Sequence, residues 1–295
     1  MYYLLLLAAT VLFSVQFVFN KVYQREVGAT FAGSCCFLMI SSAIFGAAMF
    51  AVNRFHLTVT PFSALLALCA TANGMLCGYF GILALSVSDL AKYSLYLMLG
   101  GMAVPFAYGI TFHGDALTWQ KLACFALIAA ALFLNARGEP KGEKRSWLAR
   151  VSYGAIFLLN GLGGVIATIH QSPANAVRAA PTLDYTILGM LFSFTASGLV
   201  LLIRRVLGKP FRGGRGLPGN ALLAAAGYGL VNGVANVLVM ISIRYLEPSV
   251  QYPIITGGCV ILSVAFGLLF RERVTARKIA CAGITLLGTL LLMIP

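Results

Sequence analysis

Residues 100–124 read GGMAVPFAYGITFHGDALTWQKLAC, and residues 257–281 read GGCVILSVAFGLLFRERVTARKIAC. The two stretches share a Gly-Gly pair, a threonine, a lysine and an Ala-Cys pair at identical offsets, and Asp115 corresponds to Glu272. In both stretches these polar residues lie between two apolar runs. The pattern predicts the duplication of a membrane-embedded unit.

The composition indicates a membrane protein. Of 295 residues, 60% are hydrophobic and 10% are charged, and the mean hydropathy is +0.91. A water-soluble globule of this length could not hide so much apolar surface. A helix needs about 20 apolar residues to cross a hydrocarbon core. Runs of that length predict ten transmembrane spans, near residues 2–20, 29–52, 61–87, 90–112, 117–135, 147–169, 184–206, 219–243, 248–270 and 275–294.

A hydrophilic stretch divides these spans into five and five. It contains Gly138, Pro140, Gly142 and several basic residues. Because each half holds an odd number of spans, the second copy crosses the membrane in the opposite direction. The predicted fold class is an all-α polytopic membrane protein with ten transmembrane helices in two inverted five-helix repeats. We expect a first repeat at residues 1–136, a basic cytoplasmic linker at 137–150 and a second repeat at 151–295.

The basic charge is interpreted as an orientation signal. The net charge is +13. Most basic residues follow odd-numbered spans, and those that follow even-numbered spans are Arg54, Lys121, Arg178 and Arg244. Because basic loops stay cytoplasmic, we expect both termini outside the cell membrane. The expected partner of this charge is the lipid bilayer, and no nucleic-acid partner is expected.

Motifs for several other functions are missing from the sequence. The seven cysteines fall in apolar spans and form no Cys-x-x-Cys pair, so we interpret them as packing residues. Neither a His-Glu-x-x-His zinc motif nor a Gly-x-x-x-x-Gly-Lys-Ser/Thr phosphate loop occurs. We therefore predict no metal, no cofactor and no catalytic residue. The first span follows Tyr2 and Tyr3 directly and is interpreted as a retained span, not a signal peptide.

Side-chain amides in the middle of spans are the main candidates for function. A single amide often only bonds a neighbouring helix. Here, however, the amides belong to spans 1, 3, 6 and 8, which are repeat partners, and a substrate site is expected where repeats meet near the midplane. Aromatic and amide residues that open spans 4 and 9 either line a cavity mouth or form an interfacial belt. The candidate substrate-binding residues are Gln16, Asn20, Lys21, Asn73, Tyr93, Tyr96, Asn160, Asn232, Asn236, Gln251 and Tyr252.

Charged and titratable groups give weaker signals. Lys21 either extends to the inner headgroups or presents its charge to an anionic substrate. His170 and Gln171 end span 6, and we interpret them as a solvated rim and not as a proton relay. The carboxylates fall at span ends or in loops, which argues against a carrier of lipophilic cations.

The sequence resembles the EamA-like branch of the drug/metabolite transporter superfamily. The resemblance covers nearly the whole chain and includes Gln16, Asn20 and Lys21 late in the first span. It also includes an acid followed by a basic residue before the last span of each half. That family typically has a glutamate in this turn; the second half matches with Glu272, and the first has Asp115. Gln16 lies in the region where the small multidrug resistance relatives carry a glutamate, which argues against cation–proton antiport.

The resemblance implies a secondary carrier of amino acids, sugars, nucleotide-like compounds or other small metabolites, often an exporter. Our first hypothesis is therefore a secondary active transporter of small polar metabolites that works by alternating access between inverted repeats. It is not expected to be an enzyme, and it would act as a monomer or homodimer. The alternatives are a scaffold or receptor without transport and a lipid-modifying membrane enzyme, which would need a convergent acid, nucleophile or metal cluster.

Overall fold

A computed structural model describes residues 2–28, 30–87, 90–136, 147–209, 211, 216–269 and 275–292. All regular secondary structure in these ranges is helical. A turn of π-helix (Gly109–His113) follows α4, and a short 3₁₀ turn (Pro173–Asn175) precedes α7. The α-helices described are α1 (Tyr2–Val27), α2 (Phe31–Val52), α3 (Pro61–Val87), α4 (Leu90–Tyr108), α5 (Trp119–Ala136), α6 (Trp147–Gln171), α7 (Thr182–Val206), α8 (Gly219–Ile243), α9 (Pro248–Leu269) and α10 (Ala276–Leu291).

The helices confirm an all-α protein with the character of a multi-pass membrane protein. Within the described ranges, 7 helices are long and apolar enough to cross a bilayer: α1, α2, α3, α4 with its π turn, α6, α7 and α8. Shorter apolar helices occur at Trp119–Leu134 in α5 and at Ile279–Leu291 in α10. Large apolar side chains such as Leu4, Leu65 and Leu223 are exposed on the outside of the bundle. Such a surface suits contact with lipid.

Several helix starts follow from proline. Pro61 and Pro248 are the first residues of α3 and α9, and Pro181 and Pro218 immediately precede α7 and α8. Proline suits these positions because its ring presets φ and the first N–H groups of a helix have no intrahelical acceptor.

Helix α6 begins at the residue expected to open the sixth span and includes the last residues of the expected linker. Helix α6 begins at Trp147, so residues 147–150 of the expected linker are helical, and residues 137–146 lie outside the described residues. The helix breakers Pro140 and Gly142 come before this point, and the guanidinium of Arg150 lies 5.8 Å from the centroid of the Trp147 ring. A cation over an indole face is a favourable contact within the first turn of α6.

Most helix pairs join one helix from before the linker with one from after it. Helix α1 packs on α8 and α9, and α6 packs on α3 and α4. Helix α2 packs on α7, and α5 packs on α10. Buried clusters follow these pairs, for example Ala9 of α1 with Ala235, Val239 and Ile243 of α8. The halves therefore share a core that neither could form alone.

Glycines of the duplicated stretches lie where helices cross closely. A methyl group on Gly100 of α4 would overlap the backbone carbonyl of Phe157 in α6. A methyl group on Gly258 of α9 would come within 2.5 Å of the side chain of Thr10 in α1. The shared Gly-Gly pair thus allows close contact between α4 and α6 and between α9 and α1.

We predict that Gly100→Ala lowers the free energy of unfolding by about 1–3 kcal/mol, because a rigid backbone carbonyl opposes the added methyl group. The measurement is the thermal stability of the purified protein in detergent. Gly154→Ala is the matched control, since no atom lies within 4 Å of a methyl group built there. It should leave stability unchanged or raise it by up to about 1 kcal/mol. Equal effects of the two substitutions would contradict the close-packing role.

Candidate functional site

A cavity of about 560 Å³ lies in the centre of the bundle. Seven helices line it: α1, α3, α4, α6, α7, α8 and α9. Both halves of the chain therefore contribute to its wall. The predicted site residues that line it are Gln16, Asn20, Asn160, Asn232, Asn236 and Tyr252.

Three amides form a hydrogen-bonded chain along one wall of the cavity. The Nδ2 of Asn236 donates to Oδ1 of Asn232 at 3.0 Å and to the Asn232 backbone carbonyl at 2.8 Å. The Nδ2 of Asn232 donates to Oε1 of Gln16, which joins α8 to α1. Among the hydrogen bonds of the described residues, Nε2 of Gln16 and Oδ1 of Asn236 have no partner. This row of amides thus offers a ligand one donor group, Nε2 of Gln16, and one acceptor, Oδ1 of Asn236.

Other amides face the cavity from α6 and α1. The Nδ2 of Asn160 donates to the backbone carbonyl of Leu97 in α4 at 2.7 Å, which fixes the side chain. Its oxygen makes no hydrogen bond with the described residues, and neither does the amide of Asn20. These groups can bond a ligand without first breaking a bond within the protein.

The remainder of the wall is aromatic and apolar. Tyr252 donates from its hydroxyl to the backbone carbonyl of Gly164 at 2.9 Å. Phe13, Tyr185 and Tyr228 also line the cavity. None of the described lining residues is charged. A wall of amides and aromatic rings suits a polar ligand with an apolar part, because no buried charge needs a counter-ion.

The structure places three predicted site residues away from the cavity. Asn73 donates to the backbone carbonyl of Leu159 at 2.8 Å and so ties α3 to α6. Tyr96 stacks on Tyr153 with ring centroids 4.7 Å apart. Gln251 is fully buried, and its Nε2 donates to the Val239 carbonyl at 3.0 Å.

The position of Gln251 follows from helical geometry. It precedes Tyr252 by one residue, and adjacent residues point about 100° apart on a helix, so only one of them faces the cavity. The side chains of Lys21 and Tyr93 lie outside what the structure describes.

Two aromatic lining residues could have been found from the sequence. Phe13 lies three residues before Gln16, and Tyr228 lies four residues before Asn232. Residues with this spacing share a helix face with the amides. Tyr185 of α7 had no such signal, because α7 contributes none of the predicted amides.

A polar layer, buried at Ser63, His170 and Gln171 and exposed at Arg244, lies beyond one end of the cavity. We call this the bridged end of the bundle, where α3 begins and α6 and α8 end. His170 is 1% exposed, and its Nε2 lies 2.8 Å from Oγ of Ser63 in α3. The Nε2 of Gln171 lies 3.0 Å from Nδ1 of His170. Oε1 of Gln171 accepts from Oγ1 of Thr182 at 3.0 Å and from Nε of Arg244 at 2.9 Å.

This layer differs from the solvated rim that we expected at His170 and Gln171. The loop between α6 and α7 folds back, so that the N–H of Ala180 donates to Oγ of Ser63 at 2.8 Å. Residues of α3 and α7 and the C-cap of α8 therefore contact the end of α6. A terminal position in a span was not sufficient to predict exposure.

Further polar contacts between the halves lie at the same end. Asp184 of α7 accepts a hydrogen bond from Nδ2 of Asn53. It accepts a second, 3.1 Å long, from the backbone N–H of Thr58. Lys121 pairs with Glu247. Asp115 accepts from the N–H of Ser249, at the start of α9, at 3.0 Å. A carboxylate at a helix N-terminus is favourable because it meets free N–H groups and the positive end of the helix dipole.

Asp115 has a perturbed acidity. Burial alone would raise its pKa, but the contacts with Ser249 and then with His113, 2.9 Å away, together lower the pKa below its ordinary value. Hydrogen bonds and positive charge favour the ionised form. The carboxylate therefore stabilises the folded protein at neutral pH.

Comparison with known proteins identifies a shared fold. Twenty-eight chains of solved structures match. One of them, described as the crystal structure of a protein, superimposes with a TM-score of 0.76 over 98% of this chain and 95% of its own, at 16% sequence identity. At this identity the likeness concerns the fold alone. No protein-family model and no curated protein matches the sequence.

We predict that Asp115→Asn flattens the acid limb of the stability profile. Because folding lowers the pKa of Asp115, its stabilisation is present above the ordinary value of 3.8 and is lost as the pH falls below it. The variant should melt at a lower temperature than the wild type at neutral pH, and the two should converge in acid. The measurement is thermal unfolding across that range. Parallel profiles would contradict this role.

Proposed function

We propose that the protein is a secondary active transporter of small polar metabolites, with amino acids or similar compounds as the expected class. It would work by alternating access between two inverted five-helix repeats that together make ten transmembrane helices. The observation that carries the proposal is the central cavity, to which both halves contribute amides with free hydrogen-bonding groups. A site shared by two halves can be exposed to either side in turn.

The pairing of helices supports two repeats. If α1–α5 correspond to α6–α10, the contact of α1 with α8 corresponds to that of α6 with α3. The contact of α4 with α6 likewise corresponds to that of α9 with α1, and α2 with α7, α4 with α9 and α5 with α10 are each self-corresponding. This pattern is what a two-fold axis between the repeats would produce. Five helices per repeat would make the repeats inverted.

The chemistry of the cavity supports a neutral polar substrate with an apolar part. An amide both donates and accepts hydrogen bonds, so it can bind hydroxyl, amide or carbonyl groups without burying an unpaired charge. The tyrosines would provide flat surfaces for an aromatic or aliphatic portion. The protein would act as a carrier and not as an enzyme.

The charge pattern and the resemblance to EamA-like transporters support location in the cell membrane. The basic loops would lie in the cytoplasm and both termini outside. The bridged end would then face outward. The resemblance favours export, and a monomer or homodimer would be sufficient because one chain contains the whole cavity.

We predict that a substrate raises the melting temperature of the wild type and that Asn20→Leu abolishes the shift. A ligand at 100 times its Kd stabilises a protein by about 2.7 kcal/mol. The amide of Asn20 has no partner among the described residues, so its loss should weaken binding without reducing stability. The measurement is a thermal-shift screen against amino acids, sugars, nucleosides and organic anions, followed by counterflow in proteoliposomes with any ligand found.

Asn73→Leu is the matched control, because Asn73 bonds Leu159 away from the cavity. It should lower the melting temperature and leave the affinity of the ligand unchanged. Ligand binding without counterflow would favour the receptor hypothesis. If no compound shifts the wild type, or if Asn20→Leu keeps full affinity, the proposed site is wrong.

A further inference from the structure

The orientation of two amides in the cavity wall is fixed by backbone carbonyl groups. A carbonyl oxygen only accepts hydrogen bonds, so the amide atom that contacts it must be the nitrogen. Asn160 therefore directs its nitrogen at the carbonyl of Leu97, at 2.7 Å, and Asn236 directs its nitrogen at the carbonyl of Asn232, at 2.8 Å. The Oδ1 atoms of Asn160 and Asn236 are the atoms that remain for a ligand.

The same reasoning fixes the other two amides of the row. The Nδ2 of Asn236 also donates to the side chain of Asn232 at 3.0 Å, so the contacted atom of Asn232 is its oxygen. The nitrogen of Asn232 then donates to Gln16, whose contacted atom is Oε1. The Nε2 of Gln16 remains as a donor. Turning any one of these amides over in place would oppose two donors or two acceptors.

Bonds to backbone carbonyls leave these amides with more acceptor than donor capacity. Four amides carry eight N–H groups and eight oxygen lone pairs. The four hydrogen bonds of Gln16, Asn160, Asn232 and Asn236 use four N–H groups but two amide lone pairs, because two of the acceptors are backbone carbonyls. Four N–H groups and six lone pairs therefore remain for a ligand.

The other polar side chains of the described wall do not reverse this excess. Asn20 adds donors and acceptors in equal number. Tyr252 gives its single proton to the carbonyl of Gly164, so it offers no donor to a ligand. The remaining hydroxyl groups each have two lone pairs for one proton, and none of the described lining residues is charged. This part of the wall is thus a polar, uncharged surface with an excess of acceptors.

We propose that the cavity selects uncharged compounds rich in N–H or O–H donors, of which primary carboxamides are the simplest. A primary carboxamide carries two N–H groups and one carbonyl, which complement the oxygens of Asn160 and Asn236 and Nε2 of Gln16. A carboxylate of the same shape has acceptors only, and its charge would have no counter-ion in the described wall. The aromatic rings suit a flat apolar part. The inference rests on the proposed function, because it treats this cavity as the substrate site.

The test compares benzamide with benzoate, which have the same shape but differ in charge and in N–H donors. Binding to the full chain in nanodiscs of zwitterionic lipid is measured by saturation-transfer NMR, with empty nanodiscs as the background. We expect benzamide to bind about tenfold more tightly or better, because one unmade hydrogen bond corresponds to about two- to tenfold in affinity. N-methylbenzamide, with one N–H group, should bind more weakly than benzamide and more tightly than N,N-dimethylbenzamide.

Two variants test whether the amides of the wall cause this preference. Asn160→Leu removes one fixed oxygen, so it should weaken benzamide binding by about two- to tenfold and leave the binding of N,N-dimethylbenzamide unchanged. Asn73→Leu is the matched control, because Asn73 also donates to a backbone carbonyl, that of Leu159 at 2.8 Å, but lies away from the cavity. It should keep the full preference. The melting temperature without ligand shows whether each variant is folded.

A further variant keeps the test decisive if Asn160→Leu does not fold. Asn20→Lys removes no hydrogen bond among the described residues and adds a charged donor to the wall, so it should shift the preference towards benzoate. The proposal is overturned if the wild type binds benzoate as tightly as benzamide, or if neither compound binds. It is also overturned if folded Asn160→Leu keeps the full preference, or if Asn20→Lys leaves the preference unchanged.

These outcomes are separable from those of the transport hypothesis. A protein that prefers benzamide but shows no counterflow would retain this selectivity and refute transport. A protein that binds and exchanges organic anions in preference to their amides would retain the transport function and refute the selectivity.

Discussion

A bilayer contains no water to satisfy a polar side chain, and the interior of this bundle follows from that constraint. Each buried amide must bond another helix or a ligand. Gln16 and Asn232 bond each other between α1 and α8, whereas Asn73 and Asn160 bond backbone carbonyls of neighbouring helices. Among the described residues, the amides of Gln16, Asn20, Asn160 and Asn236 keep a group without a hydrogen-bond partner and line the same cavity. The same bonds therefore hold the helices and define the site.

The polar contacts at the bridged end have a different character. The mid-bundle amides are neutral, whereas this end combines Asp115, Lys121, Asp184 and Arg244 with buried hydroxyl groups. Most of these contacts connect the two halves of the chain. These contacts join the helices at this end, whereas the centre of the bundle retains a cavity.

The sequence was sufficient to predict the helices and several of the amides that line the cavity, since both follow from local patterns. Apolar length marked the spans, and the cost of an amide in hydrocarbon marked Gln16, Asn160 and Asn232. The orientation of each side chain depended on neighbouring helices, which no local pattern contains. Gln251 was therefore predicted as a candidate although it faces α8, and His170 was expected in solvent although the α6–α7 loop covers it. The glycine pair of the duplicated stretch was visible, but its contact with Phe157 required the packing of α4 against α6.

The pairing of helices across the two halves also has a consequence for biosynthesis. Helix α1 leaves the ribosome before α8, yet α8, about two hundred residues later, is its main partner. The first half must therefore wait in the bilayer with its amides and close-packing glycines facing lipid or one another until the second half is translated. During that interval a quality-control protease would encounter the same polar faces that later surround the cavity. Two separately translated halves should therefore find each other in the membrane, because each supplies the missing partners of the other.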